Sequence, residues 1–181
     1  MKKLAKRITT TVLALACVAL TTAARAESTA TLTKVHLCCK GCVAALEKSV
    51  AKVPEVKCVA TQKEGTVVLT AADDKTLQKA VDAVAKAGFH GKLDNKEVKF
   101  AAVKVPDGKV QRLEVVGVHS CCPACTKAIK AALAKVEGVK GDNCEPKAKS
   151  IVIEGDFVAK DVIKAIEKAG FHASLPKPKK A

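Results

Sequence analysis

The sequence is poor in aromatic side chains and in methionine. Its 181 residues contain no tryptophan, no tyrosine, four phenylalanines and one methionine. This composition excludes a large aromatic core, and it excludes a nucleic-acid binder that stacks bases on aromatic side chains. A serine–histidine–aspartate triad, paired catalytic carboxylates and a phosphate-binding glycine loop are also missing from the sequence. We therefore predict that the protein is not an enzyme and does not bind nucleic acid.

Cysteine, by contrast, is abundant. The chain has nine cysteines and a formal net charge of +14. Its length suits one ordinary domain or two small ones. Because so many cysteines are unusual in a cytosolic protein, the chemistry of the chain is expected to lie in them.

Residues 1–26 have the pattern of a secretory signal peptide. Basic residues in Met1–Arg7 precede the unbroken apolar run Val12–Leu20, and Ala24 and Ala26 supply the small residues read at a cleavage site. The apolar run is too short for a membrane span, which needs about 20 residues. Removing this segment leaves a net charge of +9 and eight cysteines. We predict a periplasmic or secreted protein with no stable membrane insertion after cleavage.

Cys17 lies inside the apolar run and raises the alternative of a lipoprotein anchor. The residue three positions before it is Ala14 rather than leucine, and apolar residues continue after it. Lipid anchoring at Cys17 is therefore not predicted.

The remaining chain repeats itself. The segment VHLCCKGC at Val35–Cys42 recurs as VHSCCPAC at Val118–Cys125. Farther on, KAGFH at Lys86–His90 recurs unchanged at Lys168–His172. Two units of one design therefore follow the signal peptide.

Each unit reads as strand, helix, strand, strand, helix and strand. In the first unit, the predicted elements are a strand at Thr31–Leu37, a helix that stops at Pro54, strands at Val56–Ala60 and Thr66–Ala71, a helix that ends at Gly88 and a strand through Leu93. In the second unit, they are a strand at Gln111–Val118, a helix from Pro123, strands near Val139 and at Ile151–Ile153, a helix to Gly170 and a strand at His172–Leu175. Such a unit has two layers, with helices covering one sheet.

The predicted organisation has five parts. They are a signal peptide at residues 1–26, a first domain at 27–97, a linker at 98–110, a second domain at 111–175 and a basic tail at 176–181. The linker is predicted to form a hairpin from Val98–Val105 and the following strand, with its turn at Pro106–Gly108.

A cysteine motif, CCxxC, stands where the first strand of each unit meets its first helix. Cys39 is predicted in the loop or at the helix N-cap and Cys42 in the first helical turn, and Pro123 after Cys122 supports the same placement in the second unit. Free N–H groups and the helix dipole stabilise thiolates at this position. Two nearby thiolates form a site for a soft metal ion.

These motifs and this element order resemble the heavy-metal-associated domain family, which includes copper chaperones, modules of copper-transporting ATPases and a periplasmic mercury-binding protein. The resemblance covers residues 31–93 and 111–175. It implies an α+β fold of two tandem ferredoxin-like βαββαβ units, each with a four-stranded antiparallel sheet and two helices on one face. It implies Cu(I) as the preferred cargo, with Zn(II) and Hg(II) as alternatives, and a metal-transporting membrane protein or another metallochaperone as partner. The implied ligands are Cys39, Cys42, Cys122 and Cys125.

The chain departs from the family pattern in two respects. Where the family usually has methionine, it has Leu37 in one unit and Ser120 in the other. Additional candidate ligands also surround the motifs, namely Cys38, Cys121, His36, His119, His90 and His172. On a continuous strand Cys38 and Cys39 point to opposite faces, so Cys38 reaches the metal only if the strand has already ended.

Two other functions remain open at this point. A thiol–disulfide redox protein also uses CxxC at a helix start, and a disulfide-stapled interaction module would account for the cysteine content. Cys58 and Cys144 lie away from the motifs, and their spacing leaves a disulfide to an extra motif cysteine open. The lysine-rich helices are most simply solvated surfaces, and a docking surface for an acidic partner or an anionic membrane is the alternative. The oligomeric state is not predicted.

Overall fold

The computed structural model describes residues 27–177, which form eleven helices and strands. The predicted signal peptide at residues 1–26 and the end of the tail, residues 178–181, lie outside the described residues. The first unit comprises β1 (Ser28–Thr33), α1 (Lys40–Val50), β2 (Val56–Thr61), β3 (Thr66–Ala71), α2 (Asp74–Lys86) and β4 (Lys92–Leu93). The second comprises β5 (Lys109–Val116), α3 (Pro123–Leu133), β6 (Val139–Asp142), β7 (Ser150–Val158) and α4 (Ala159–Lys168). Within 27–177, no helix combines the length and apolar character needed to cross a membrane.

The first unit has the predicted ferredoxin-like arrangement. Its antiparallel sheet has the order β2-β3-β1-β4, with β1 and β3 in the centre. On β3, Val67, Leu69 and Ala71 alternate with more exposed residues, so one face of the sheet is apolar and buried. The helices α1 and α2 pack against each other and against the sheet. This layer of helices carries the first CCxxC motif at the start of α1.

The second unit has one strand fewer than predicted. Its sheet has the order β5-β7-β6, and the expected fourth strand at His172–Leu175 is reduced to a single bridge between Val116 and Ser174. Two backbone hydrogen bonds of 2.7 and 2.9 Å join these two residues. The bridge does not extend because Gly117 leaves the extended conformation, with φ of 74°, and Pro176 has no N–H to donate.

The first strand of the chain ends earlier than predicted. Lys34 has φ of 62°, a left-handed conformation that breaks the strand after Thr33. The next N–H group, on Val35, donates to the carbonyl of Gly65 over 2.9 Å instead of continuing the sheet. Residues 34–39 therefore form a loop, and Cys38 is free of the alternation that a strand would impose.

The hairpin predicted in the linker is not formed. Residues 98–106 contain no strand. The Gln78 side chain on α2 instead binds Lys99 at both its backbone groups, donating to the carbonyl over 2.8 Å and accepting from the N–H over 2.9 Å. The Phe100 ring then stacks on His90, with ring centroids 4.1 Å apart. The linker is thus held against the first unit.

The two units meet through the repeated Gly–Phe–His turns that follow α2 and α4. Phe89 and Phe171 form an antiparallel bridge, and both are fully buried. The Gly170 carbonyl accepts hydrogen bonds from the N–H groups of His90 and His36, at 3.1 and 3.3 Å. The second unit thereby holds the loop that leads into the first CCxxC motif.

The same contacts recur in the opposite direction. The Gly88 carbonyl accepts from the N–H groups of His172 and His119, at 2.9 and 3.4 Å. The Phe89 ring lies 4.3 Å from the ring of His119, measured between centroids. This reciprocity relates the units by approximate twofold symmetry and brings the two CCxxC loops to the same side.

Glycine is required at the centre of this interface. Gly170 has φ of 89°, and a Cβ there would overlap the backbone of His36 and lie 2.6 Å from the carbonyl oxygen of Lys34. We expect Gly170→Ala to lower the free energy of unfolding by about 3 kcal/mol or more, because left-handed strain of about 1–2 kcal/mol is added to the steric overlap. Urea denaturation measures this loss.

The matched control is Gly108→Ala. Gly108 has a similar φ of 79°, but a Cβ there meets nothing within 4 Å. This substitution should cost only the backbone strain, about 1–2 kcal/mol. Equal losses in the two variants would show that the interface tolerates a side chain at Gly170.

Candidate metal centre

The CxxC cysteines stand at the first turns of α1 and α3. Cys39 is the N-cap of α1 in extended conformation, and the N–H of Cys42 donates to its carbonyl over 3.0 Å. Cys122 is the N-cap of α3, where Pro123 occupies the first helical position. Cys42 and Cys125 are fully buried. The placement predicted from the sequence is confirmed for both motifs.

The two CCxxC motifs face each other across the interface. The Sγ atom of Cys38 is 3.5 Å from Sγ of Cys122 and 3.5 Å from Sγ of Cys125. In the reverse direction, Sγ of Cys42 is 3.7 Å from Sγ of Cys121 and 3.9 Å from Sγ of Cys125. Six sulfurs from both units therefore meet in one place. We call them the six-sulfur cluster: Cys38, Cys39, Cys42, Cys121, Cys122 and Cys125.

Sulfurs within each unit are equally close. The distances are 3.6 Å for Cys38–Cys42, 3.7 Å for Cys39–Cys42, 3.8 Å for Cys121–Cys125 and 3.8 Å for Cys122–Cys125. The extra cysteines Cys38 and Cys121 thus belong to the cluster. Cys38 reaches it because β1 has ended at Thr33 and the following loop turns inward.

His36 and His119 lie beside the six-sulfur cluster. A ring nitrogen of His36 is within 4.8 Å of Cys38 and Cys125, and a ring nitrogen of His119 is within 4.8 Å of Cys42, Cys121 and Cys125. The Nε2 atoms of both histidines are buried without a hydrogen-bond partner in the described structure. Burial lowers the pKa of both side chains. A neutral imidazole whose ring nitrogen has no hydrogen-bond partner can bind a metal ion through the lone pair of that nitrogen.

His90 and His172 form a different group. Together with Glu167 they bring two ring nitrogens and a carboxylate oxygen within 4.8 Å of one another, and no cysteine belongs to this group. The Nδ1 atoms of both histidines are buried and unpartnered within residues 27–177. Burial, followed by the proximity of His172, lowers the pKa of His90 to about 4. The structure therefore does not bring His90 and His172 into the six-sulfur cluster.

The N-cap thiols are the acidic members of the cluster. The backbone N–H of Cys125, followed by the Cys38 thiol, lowers the pKa of Cys122 to about 6. The backbone N–H of Cys42 likewise lowers the pKa of Cys39. Both effects come from backbone N–H groups in the first turn of a helix, as the sequence predicts.

The extra thiols behave in the opposite way. Burial raises the pKa of Cys38 and Cys121 to about 12, and the hydrogen bonds that Cys38 donates to Cys122 and that Cys121 donates to Cys42 act in the same direction. Burial also raises the pKa of Cys125. At neutral pH the Cys122 thiolate therefore lies among protonated thiols, and the Cys38 thiol donates a hydrogen bond to it.

Cys58 and Cys144 stay outside the cluster. Burial raises the pKa of each to about 11. All eight cysteines of the described structure are free thiols, so it contains no disulfide.

The two residues that stand where the family usually has methionine are both buried. Leu37 and Ser120 are each 5% exposed. Leu37 joins the apolar core, whereas the Ser120 hydroxyl donates to the carbonyl of Glu145 over 3.2 Å. Serine is tolerated at this position because the chain after β6 supplies an acceptor.

Comparison with known proteins identifies the second unit. The sequence model of the heavy-metal-associated domain matches residues 112–172, which run from β5 to the turn after α4. These residues form a heavy-metal-associated domain. The predicted resemblance to this family is confirmed, and its tandem repetition is supported in part by the equivalent elements of the first unit.

Solved structures similar to the chain include copper-binding domains. A copper-binding domain from the P-type ATPase HMA7 is 26% identical over 39% of this chain and 99% of its own, with a TM-score of 0.34. A protein solved in work on crosstalk between Cu(I) and Zn(II) homeostasis is 27% identical over 37% of this chain and 100% of its own, with a TM-score of 0.32. The N-terminal soluble domains of Bacillus subtilis CopA are 19% identical over 84% of this chain and 95% of their own, with a TM-score of 0.32. No curated protein matches the chain.

A heavy-metal-associated domain and a cluster of thiols thus occur in one chain. Thiolates are the ligands that soft metal ions prefer. The unpaired histidine nitrogens beside the sulfurs are a further sign of a metal centre, because a purely apolar core would not leave such atoms unsatisfied. The donor set therefore fits a soft metal ion.

The reactivity of the thiols provides a test of this electrostatic arrangement. In the reduced protein at pH 7, we expect iodoacetamide to modify Cys122 before Cys121, because a pKa of about 6 leaves Cys122 largely ionised whereas Cys121 stays protonated. Peptide mapping by mass spectrometry measures the order of labelling. Buried Cys144 is the internal control and should stay unmodified. Equal rates at Cys121 and Cys122 would contradict the assignment.

Acid should destabilise the fold through its histidines. Their pKa values in the folded chain lie below the unfolded value of about 6.5, so the unfolded chain binds more protons as pH falls. The contribution of the neutral, buried histidines to the free energy of unfolding is complete above about pH 6.5. It is lost as pH falls towards 4, where His90 of the folded chain becomes protonated. Urea denaturation of the metal-free protein measures the free energy of unfolding at pH 7 and pH 4.5. Its decrease between these two pH values should be smaller for His90→Asn than for the natural sequence. An unchanged loss would contradict this.

Proposed function

We propose that the protein sequesters soft metal ions, with Cu(I) as its preferred cargo, at the six-sulfur cluster. The observation that carries this proposal is the meeting of both CCxxC motifs, with sulfurs 3.5–3.9 Å apart across the interface. With metal–sulfur bonds of about 2.3 Å, two sulfurs on one tetrahedral or trigonal ion lie about 3.8–4.0 Å apart. The cluster thus needs adjustments of only a few tenths of an ångström to hold metal.

The burial of the site favours sequestration over rapid exchange. Cys42 and Cys125 are fully buried, whereas Cys39 and Cys122 are only partly buried. A carrier that passes its ion to another protein needs an approach for the incoming thiolate. Here the N-cap sulfurs offer a partial approach, and the sulfurs of Cys42 and Cys125 would become accessible if the units separated and the hydrogen bonds at Gly88 and Gly170 broke. Transfer to a metal-transporting membrane protein or metallochaperone would include this step.

Zn(II) is the second candidate ion. It prefers four ligands, and Cys42, Cys121, Cys125 and His119 bring four donor atoms within 4.8 Å of one another. The cluster as a whole is richer in sulfur than such a site requires, which favours Cu(I) and Hg(II) over Zn(II).

The proposed location is the periplasm or the extracellular medium. This part of the proposal is supported by the signal-peptide pattern of residues 1–26. Thiols tend to oxidise in these compartments, and bound metal would protect them. In this setting the protein acts by binding and not as an enzyme.

Metal titration tests the function. The reduced full chain should bind Cu(I) stoichiometrically under anaerobic conditions in competition with a chromophoric Cu(I) chelator. Replacing Cys39, Cys42, Cys122 and Cys125 together by serine should weaken retention at least a hundredfold, because both CxxC pairs are lost. Cys58→Ser is the matched control, since Cys58 lies outside the cluster, and it should bind normally. Tight binding by the fourfold variant would contradict the proposal.

A further inference from the structure

We propose that the six sulfurs form a single polynuclear centre shared by the two units, in which thiolates bridge several Cu(I) ions. The alternative is two independent sites, each holding one ion between the cysteines of one CxxC pair. This inference rests on the proposed function, because it concerns the same cluster. It adds the number of ions and the ligands of each ion, which include cysteines from both units.

The first argument is the arrangement of the sulfurs in space. Eight sulfur pairs are 3.5–3.9 Å apart. Four further pairs lie within 4.8 Å, namely Cys38–Cys39, Cys39–Cys121, Cys39–Cys122 and Cys121–Cys122. Together these twelve pairs have the connectivity of the edges of an octahedron. Its opposite vertices are Cys38 and Cys121, Cys39 and Cys125, and Cys42 and Cys122.

An octahedron of sulfurs is suited to several three-coordinate ions. Each triangular face offers three thiolates to one ion, and alternate faces share only vertices. Ions on alternate faces are therefore each bound by three sulfurs, and every sulfur bridges two ions. Filling these faces takes about four monovalent ions per chain. Two isolated CxxC pairs would offer two sulfurs to each of two ions.

The second argument is that the extra cysteines cross between units. Cys38 completes a triangle with Cys122 and Cys125, whose edges are 3.5, 3.5 and 3.8 Å. Cys121 takes the equivalent position beside Cys42, at 3.7 Å, and Cys39. Each CxxC pair thus has a third sulfur from the opposite unit in addition to the one from its own unit, and the full set of triangular faces forms only where the two units meet.

The third argument is charge. Each thiol that binds Cu(I) forms a sulfur–copper bond and releases its proton to the solvent, and copper stays in the +1 state. If all six sulfurs bind metal as thiolates, two ions leave most of the negative charge uncompensated at a partly buried site, and burying such charge is costly. About four ions remove most of this charge. The N-termini of α1 and α3 compensate part of the remainder.

Native mass spectrometry of the full chain gives the number of ions. The reduced protein is titrated anaerobically with Cu(I), and we expect the metal-free form to convert to a species with about four ions with little accumulation of intermediates. X-ray absorption of this species should show three sulfurs around copper and a short copper–copper distance. A two-ion end point filled without cooperativity, with no copper–copper scattering, would overturn the inference and leave the proposed function standing.

Variants test the crossing of cysteines directly. In a background carrying Cys38→Ser, Cys122→Ser and Cys125→Ser, the CxxC pair of the first unit is the only one left, and its own unit offers no third sulfur. Adding Cys121→Ser should then weaken Cu(I) retention by that pair at least tenfold, because Cys121 supplies its third sulfur from the other unit. Adding Cys144→Ser instead is the matched control, since Cys144 is buried in the same unit outside the cluster, and retention should not change. Equal retention in the two would overturn the inference.

The two levels of proposal fail in different ways. Circular dichroism and urea denaturation establish that each variant is folded. Adding Cys38→Ser to a background that lacks Cys39, Cys42 and Cys121 provides the reciprocal test on the second unit. Absence of any thiol-dependent Cu(I) binding by the natural sequence would contradict the proposed function itself. Binding of two independent ions, unaffected by Cys38→Ser or Cys121→Ser, would contradict only the shared centre.

Discussion

The antiparallel pairing of the two Gly–Phe–His turns is the contact on which the metal centre depends. Each turn uses its glycine carbonyl to hold both the opposite turn and the loop before the opposite cysteine motif. Because Gly88 and Gly170 have no side chain, the backbones approach closely enough for these bonds to form. The phenylalanine rings fill the interface on both sides. The position of every sulfur follows from this pairing, since each motif begins only a few residues after the bonded histidine.

Thiol chemistry divides the cluster into two classes. Sulfurs at the N-caps lie where helix N–H groups stabilise negative charge, and sulfurs of the preceding loop lie where burial opposes it. The metal-free cluster is stable because its thiols and thiolates can pair with one another. A metal ion supplies positive charge to the same space, so it can replace these protons with small shifts of the sulfurs.

Much of each unit was predictable because its determinants are local. Helix positions follow from apolar spacing and from Pro123, and the placement of Cys39 and Cys42 follows from the rules of helix N-termini. The end of β1 could not be predicted, because the left-handed conformation of Lys34 is unusual for a residue with a side chain. The missing fourth strand depends on Gly117 and Pro176 acting together. The meeting of the two motifs could not be predicted, since it depends on contacts between turns 82 residues apart.

The linker that Gln78 holds against α2 has a consequence for how the centre assembles. It keeps the two halves on one chain and restricts the distance over which they can separate. Their association is then an intramolecular step governed by effective concentration. A centre made from two separate copies of a single unit would dissociate on dilution, and its capacity would vary with protein level. In the proposed shared centre the capacity for metal is set by the number of molecules alone, so even a small amount of the protein retains complete sites.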